Sequence, residues 1–472
     1  MKLSEKTPVL LIPACLRRIL TETPQLWRTY CVGGCVRDWL LGLPCKDLDL
    51  EVFGVSYQDL VQALKPWGKT DLVGRSFGVV KLTIHGGETF DFTIPRRDSK
   101  VAPGHKGFEI EFDPDITPQQ AASRRDFTIN ALMYDPVHDE MLDFFGGLND
   151  LRNRILRHTS SAFAEDPLRV LRGMQFAGRF GLTACAKTRE LCRSIASAYT
   201  ELAVERVREE WFKWAEKSIL PSAGLRFLEH TGWIRHFPEI QALQGVPQDP
   251  EWHPEGDVFT HTCHGCDALQ RLPEWRAADA ETRIVLMLAV LGHDFAKPQT
   301  TTFAEKGGRM RWISPGHEEG GGPLVERFLE RINAPLAIRK RVLPLVVQHL
   351  AHLQQTSEKA VRRLAKRLEP ETIENLCLVM IADGSGRPPL PAEVPPGVTT
   401  LREIARAMQL NAAAPKPILQ GRHLMEMGIA PGPAMGEILA GAFEAQLEGC
   451  FNNLEGARQW AGMRLGSPSS GT

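Results

Sequence analysis

Residues 29–51 read TYCVGGCVRDWLLGLPCKDLDLE. The run ending at Val32 has the β-branched and aromatic character of a strand. It enters Gly33-Gly34 and then a helix that carries Arg37 and Asp38. Glycines at such a turn let backbone N–H groups come close to an anion, and the positive end of the new helix adds to the attraction. Arg37 sits one turn in, where it can reach a phosphate. Asp47-Leu48-Asp49 follows. On a strand, residues i and i+2 point the same way, so both carboxylates face one site while Leu48 faces the core. Two hard carboxylates held close together collect magnesium, the ion that in-line nucleotidyl transfer requires. A lone DxD is a weak pattern that two solvated strand-end aspartates explain as well. A GG-x-x-RD followed nine residues later by DxD is much more specific.

Outward from this stretch, three kinds of text follow one another. From about Thr29 to Leu156 short β-rich runs (FGVVKLTI, TFDFTI, INALMYD) alternate with Gly and Pro turns. From Ala162 the periodicity turns helical: RVLRGMQFAGRF and ERVREEWFKWAEK place apolar residues three and four apart. Residues 386–399, opening GRPPLPAEVPPGV, cannot continue a helix and read as a linker. A last helical segment starts at 400 and ends in the polar LGSPSSGT. The expected division is an extension at 1–28, an α+β head at 29–158, an all-α neck at 159–225, a helical body at 226–385, the linker, and a helical tail at 400–472.

Composition narrows the function classes. In 472 residues, 56 basic and 57 acidic side chains leave a charge of −1, so this is no uniformly basic nucleic-acid coat. Residues 151–220 nevertheless carry 13 Arg/Lys against 8 Asp/Glu. That local excess is either a solvated helical face or the place where a phosphate backbone lies, with Arg179 and Arg193 as candidate contacts. Ten cysteines are too sparse for a disulfide scaffold and read as reduced cytoplasmic thiols. The start has no convincing secretion signal. The apolar run Ile284–Leu291 is too short for a membrane span and reads as a core helix.

Arg124-Arg125-Asp126-Phe127-Thr128-Ile129-Asn130-Ala131 is a second constellation. Adjacent arginines can be a surface ion pair, but their bidentate forks also suit a triphosphate. Glu165-Asp166-Pro167-Leu168-Arg169-Val170-Leu171-Arg172 opens the helical part. As structure, it is a helix start with acidic first-turn residues and an early Pro. As chemistry, a carboxylate that accepts from an exocyclic amino group, beside a guanidinium that donates to a ring nitrogen, accepts adenine and cytosine and rejects guanine and uracil. Asp166 and Arg169, one turn apart, can face the same base.

Together these motifs resemble the DNA polymerase β-type nucleotidyltransferase superfamily, and more closely the class II tRNA nucleotidyltransferases, the CCA-adding family. The resemblance runs from about Thr29 to Gly449. It implies magnesium on Asp47 and Asp49 and nucleotide contacts at Gly33, Gly34, Arg37, Arg124, Asp126 and Arg172, with Asp166 and Arg169 selecting the base. Asp91, in TFDFTI, is either a third carboxylate or an ordinary strand-end aspartate. Residues 96–115, RRDSKVAPGHKGFEIEFDPD, resemble the flexible loop that the family needs for the terminal adenosine. Glu205-Arg206-Val207-Arg208-Glu209 resembles its helix-positioning motif.

The body scatters a further ligand set: His261, His293-Asp294, His317, His349 and Asp383. An adjacent His-Asp with more His on both sides and a late Asp is the pattern of the HD phosphohydrolase superfamily. Mixed imidazole and carboxylate ligands suit Mn, Fe, Ni or Co better than a structural zinc. Such a metal lowers the pKa of bound water and makes it a nucleophile toward phosphate esters. Cys263 and Cys266 form one CxxC with no second pair and read as buried helix cysteines.

The resemblance thus implies an α+β chain in which a mixed β-sheet nucleotidyltransferase head precedes an all-α neck, HD body and tail. The expected activity is addition of CCA, or of its terminal A, to tRNA from CTP and ATP. The partners are then tRNA, ATP and CTP, with no membrane and no DNA. The rival readings are an A-adding specialist, a poly(A) polymerase, and a chain that is chiefly an HD phosphohydrolase on nucleotides or RNA ends.

Overall fold

The computed structural model describes residues 10–45, 47–71, 78–84, 86–100, 108–354 and 356–466. They fall into two compact units, residues 1–236 and 237–472. Among the described residues no helix is long and apolar enough to cross a membrane.

The first unit begins with a seven-stranded mixed sheet in the order β3-β4-β5-β2-β1-β8-β9. The strands are β1 (Thr29–Val32), β2 (Asp49–Val52), β3 (Gly68–Asp71), β4 (Val79–Ile84), β5 (Thr89–Thr93), β8 (Met133–Asp135) and β9 (Glu140–Leu142). Between them, β6 (Arg96–Lys100) pairs antiparallel with β7 (Phe108–Phe112) as a separate hairpin. The segment resembling the family's flexible loop therefore has two paired strands as its stem, and residues 101–107 lie outside the described residues. Within the seven-stranded sheet, β2 and β5 are the one parallel pair among the described residues, and their register sets Asp49 directly beside Asp91.

The pairing of β1 with β2 aligns Thr29 with Val52, Tyr30 with Glu51 and Cys31 with Leu50. β1 then leaves the sheet at Gly33, where φ is +72°. The strand β2 begins at Asp49, so Asp47 precedes it. The sequence expectation that both aspartates sit on the strand is corrected on this point.

After the sheet come the helices Leu168–Phe180, Val204–Lys217 and Pro221–Thr231. The first buries Leu168, Leu171, Met174, Phe176 and Phe180 along its apolar stripe. A Cβ at Gly173 would stand 2.5 Å from Phe227, so glycine there permits the approach of helix Pro221–Thr231.

The second unit is helical around Val258–Arg271, Ala280–Gly292, His317–Arg331, Leu336–Val347 and Ile373–Ser385. Ile284–Leu291 lies buried in Ala280–Gly292. Cys263 and Cys266 are buried on Val258–Arg271. The body is not all-α. Thr302–Lys306 pairs antiparallel with Arg309–Ile313 across Gly307 and Gly308, which both have positive φ. β-branched and aromatic residues either side of a Gly-Gly turn produce a hairpin. A helix starts at Pro396, inside the Pro-rich stretch, because Pro at the first helical position has no N–H to forfeit. Beyond it, Leu419, Leu424, Met435 and Phe451 build a small core of their own.

Candidate functional site

The first unit encloses a cavity of about 900 Å³. Gly33, Gly34, Arg37, Arg124, Asp126, Asp166, Arg169 and Arg172 all line it. The sheet, the RRDFT segment and the first neck helix converge there, so eight residues spread over 140 positions of sequence become neighbours.

Their side chains hold one another. Arg172 Nε donates to Asp126 Oδ2 at 2.7 Å, while Asp126 Oδ1 accepts from Phe127 N and Asn130 Nδ2, each at 2.8 Å. Burial opposes the charge on Asp126, yet Arg172 and these hydrogen bonds outweigh it and hold the carboxyl below its usual range. Arg37 was expected to reach a phosphate. It is buried, with Nε 2.8 Å from Asp38 Oδ1 and Nη1 2.5 Å from Asn130 Oδ1, and it packs over Phe180 at 4.6 Å. Its donors link the Gly-Gly helix to the RRDFT segment.

Asp166 is not on the helix with Arg169. It is extended, with φ −123° and ψ 99°, and caps the helix by accepting from Leu168 N at 3.1 Å. Arg169 in the first turn donates to the carbonyls of Ala162 at 2.6 Å and Arg124 at 2.8 Å. Arg206 Nη2 donates to Asp166 Oδ2 at 2.9 Å. Arg206 belongs to the ERVRE run, whose contact with Asp166 sequence alone did not disclose. Arg125, the second of the adjacent arginines, crowds the Gly-Gly turn: a Cβ at Gly33 would lie 2.8 Å from its Nη1, and its Nη2 reaches Glu51 at 3.3 Å. Arg179 lines the same cavity and donates to Asp38 at 3.1 Å, and Arg193 donates to the His230 carbonyl at 2.5 Å.

Asp47 and Asp49 are not among the residues lining the cavity, but Glu51 from the same strand is. Packing around the Asp49 carboxyl raises its pKa, Arg125 opposes this, and Asp91, Asp47 and Glu51 reinforce it. Asp91 Oδ1 is buried with no hydrogen-bond partner, with Lys81 Nζ 3.8 Å away. These are the hard oxygen donors that a divalent cation takes, but among the described residues they are not drawn into a set of three ligand atoms within 4.8 Å of one another, as the second unit's His and Asp groups are.

In the second unit the six expected ligands meet. His261 Nε2 lies 3.1 Å from Asp383 Oδ1 and 3.8 Å from Asp294 Oδ2. His293 Nε2 lies 3.3 Å from Asp294 Oδ2, and His317 Nε2 lies 3.4 Å from Asp294 Oδ1. The His349 ring centroid is 5.2 Å from those of both His293 and His317. Each Nδ1 is tied outward: to the carbonyls of Val290, Ser314 and Val346 at 2.7 Å, and for His261 to Glu255 Oε1 at 2.8 Å. That leaves Nε2 of each ring inward, the arrangement of a metal-ligating imidazole. His293 Nε2, His349 Nε2 and both Asp294 oxygens are buried without hydrogen-bond partners. Burial, reinforced by His293, pushes His349 down to about 3, so it stays a neutral ligand. Glu255, His253, Lys297 and Arg387 adjoin this cluster and were not singled out from the sequence; Lys297 Nζ is 2.8 Å from Asp294 Oδ2.

Comparison with known proteins follows these two sites. Residues 29–157 match the family described as the poly A polymerase head domain. The chain is 36% identical over 379 residues to the multifunctional CCA protein of Pasteurella multocida, covering 76% of this chain and 84% of that one. It is 35% identical over 431 residues to the multifunctional CCA protein of Xanthomonas campestris, covering 88% and 97%. Among solved structures, the Thermotoga maritima CCA-adding enzyme complexed with tRNA has a TM-score of 0.59 at 20% identity, covering 95% of each chain. The Bacillus stearothermophilus CCA-adding enzyme in complex with CTP has a TM-score of 0.59 at 20% identity, covering 96% and 98%. At that identity the likeness is one of fold.

Proposed function

Because the chain belongs to the family of multifunctional CCA proteins, the CCA-adding tRNA nucleotidyltransferases, we propose that its first unit adds CCA to tRNA 3′ ends from CTP and ATP. The carrying observation is the shared cavity, in which the base-selecting pair Asp166 and Arg169 and the basic residues Arg37, Arg124 and Arg172 all face one space. Arg124 and Arg172 offer forks to the phosphates of a bound nucleotide. Asp166 accepts from the exocyclic amino group of cytosine or adenine, and Arg169 donates to the ring nitrogen beside it. Arg206 and the carbonyls of Ala162 and Arg124 keep those two groups in place without a nucleic-acid template.

Asp47, Asp49 and Asp91 are the residues that would hold magnesium. Bound there, the ion would favour ionisation of the tRNA 3′ hydroxyl and neutralise charge on the departing pyrophosphate. Incorporation of labelled CTP and ATP into tRNA transcripts ending at the discriminator base, or after CC, tests the reading. Growth of the first by CCA and the second by A is expected. Growth of only the CC-ended transcript makes the enzyme an A-adding specialist. Extension of unrelated RNAs by ATP alone makes it a poly(A) polymerase.

A specific observation favours a second activity in the second unit. The Nε2 atoms of His261, His293 and His317 lie within 4 Å of the buried Asp294 oxygens, and His349 joins Asp294 and His317 in one group of potential ligands, a site fit for Mn, Fe, Ni or Co. A metal on His261, His293, Asp294, His317, His349 and Asp383 would supply a water of lowered pKa as nucleophile toward a phosphate ester. Metal-dependent release of phosphate that is lost in His293→Ala while CTP incorporation persists is the expected result.

A further inference from the structure

We propose that Trp252 and Trp312 form a base-stacking platform that gives the second unit's metal site its preference for nucleotide phosphates. This rests on the phosphohydrolase reading above and names how that site would recognise its substrate. The site opens into a cavity of about 1050 Å³, lined by Asp294, His317, His349 and Asp383 and also by both tryptophans. Trp252 is 56% exposed and Trp312 is 37% exposed. Large indole faces left open in a cavity that also carries charged side chains suit a ligand with an aromatic part and an anionic part.

The two tryptophans are built into the segments that orient the metal ligands. Trp252 precedes His253, whose Nδ1 is 2.9 Å from the same Glu255 Oε1 that lies 2.8 Å from His261 Nδ1. Trp312 is two residues before Ser314, whose carbonyl is 2.7 Å from His317 Nδ1. Trp312 also faces Phe303 across the hairpin, with ring centroids 5.0 Å apart. The hairpin is tied to the Trp252 loop, since Arg311 Nη2 donates to Glu251 Oε2 at 2.7 Å. A base held on these indoles therefore has its phosphate delivered to a frame that the same two segments hold.

The cavity lining carries Lys297, Lys306, Arg311 and Arg387 against Asp249, Asp294, Glu318 and Asp383. Three of the cations are ion-paired, which leaves Lys306 on the hairpin as the one without an ion pair among the described residues. That cation attracts the phosphate, and the indoles discriminate a nucleoside phosphate from one without a base. Free nucleotides and RNA ends share this chemistry.

The test uses the full-length protein labelled with 5-fluorotryptophan. It is loaded with zinc for the binding titrations, a diamagnetic ion that leaves nearby fluorine resonances sharp, and with manganese for the hydrolysis assays. The W252F and W312F variants identify the two resonances. Adenosine 2′-monophosphate, a short RNA with a 3′-terminal phosphate, and glycerol phosphate are titrated separately. Either base-bearing ligand should shift both resonances, with glycerol phosphate leaving them in place. A larger effect from the RNA assigns the site to RNA ends, and a larger effect from the mononucleotide assigns it to free nucleotides. W252A/W312A should raise the dissociation constant of the base-bearing ligand about 5- to 100-fold. It should also narrow the ratio of its hydrolysis to that of glycerol phosphate. Silent resonances, or equal shifts with glycerol phosphate, overturn the proposal. If the resonances are silent while hydrolysis still depends on His293, the platform falls and the hydrolase reading stands. If the resonances are silent and no hydrolysis depends on His293, both fall.

Discussion

Arg172 Nε donates to Asp126 Oδ2 across 2.7 Å, joining the first neck helix to the segment that follows the hairpin of β6 and β7. Asp126 is 7% exposed, so its charge depends on that partner. Arg172→Ala should therefore lower the stability of the first unit by about 1–3 kcal/mol, the cost of leaving a buried acceptor short of a donor. Urea denaturation followed by tryptophan fluorescence checks it. An unchanged midpoint would mean that solvent already serves the carboxylate.

The same pair sets a pH dependence. The folded pKa of Asp126 lies below 3.8: burial alone would raise it, and Arg172, Asn130 and the Phe127 N–H reverse the sign. A depressed carboxyl stabilises the fold fully above its unfolded pKa and loses that contribution as pH falls through the folded one. The stability gap between the native chain and Asp126→Asn should accordingly be widest above about pH 5 and close toward pH 2. A gap that is constant over this range would refute the assignment.

Arg206 holds Asp166 Oδ2 at 2.9 Å, and Asp166 is the proposed acceptor for the base amino group. Arg206→Ala should leave the carboxylate held by Leu168 N alone, and a misplacement of about 1 Å costs on the order of 100-fold in rate. CTP and ATP turnover should fall while the relative use of UTP and GTP rises. Arg206→Lys should recover part of the loss. Equal loss for all four nucleotides would make Arg206 a purely structural residue.

Asp47→Ala and Asp49→Asn should each reduce nucleotide incorporation by about 10³-fold or more, since a bound cation contributes several kcal/mol of charge stabilisation. Release of phosphate by the second unit should persist in both variants. Joint loss of the two activities would show that the units do not work independently.

Glu255 Oε1 is 2.8 Å from Nδ1 of His261. Glu255→Gln should weaken metal affinity about 10- to 100-fold, as removal of an outer-shell carboxylate does. Stoichiometry after dialysis, read by elemental analysis, checks this. Chelation of the native protein should also lower its thermal midpoint, because free metal at 100 times its dissociation constant stabilises by about 2.7 kcal/mol.

Residue order alone determined the class of the fold and picked out most of the candidate residues that the structure gathers around its two cavities. A strand running into Gly33-Gly34, an arginine one turn on and a DxD beyond are local features, and so is His293-Asp294 on a helix. Their chemistry follows from residue type and short spacing. What residues far apart do to each other was decided only by tertiary structure. The pairing of β2 with β5 set Asp49 beside Asp91, and the strand began at Asp49 with Asp47 ahead of it. Arg37 looked free in sequence, yet Asn130, 93 positions away, takes one of its donors. Arg206 lies 40 positions from Asp166 and fixes its carboxylate. The Gly307-Gly308 turn was present in the sequence, but the helical pattern around it concealed the hairpin that brings Trp312 to the metal cavity. Propensity and spacing act within a few residues, whereas packing selects which distant groups share a desolvated space, and there hydrogen bonds and charge decide each role.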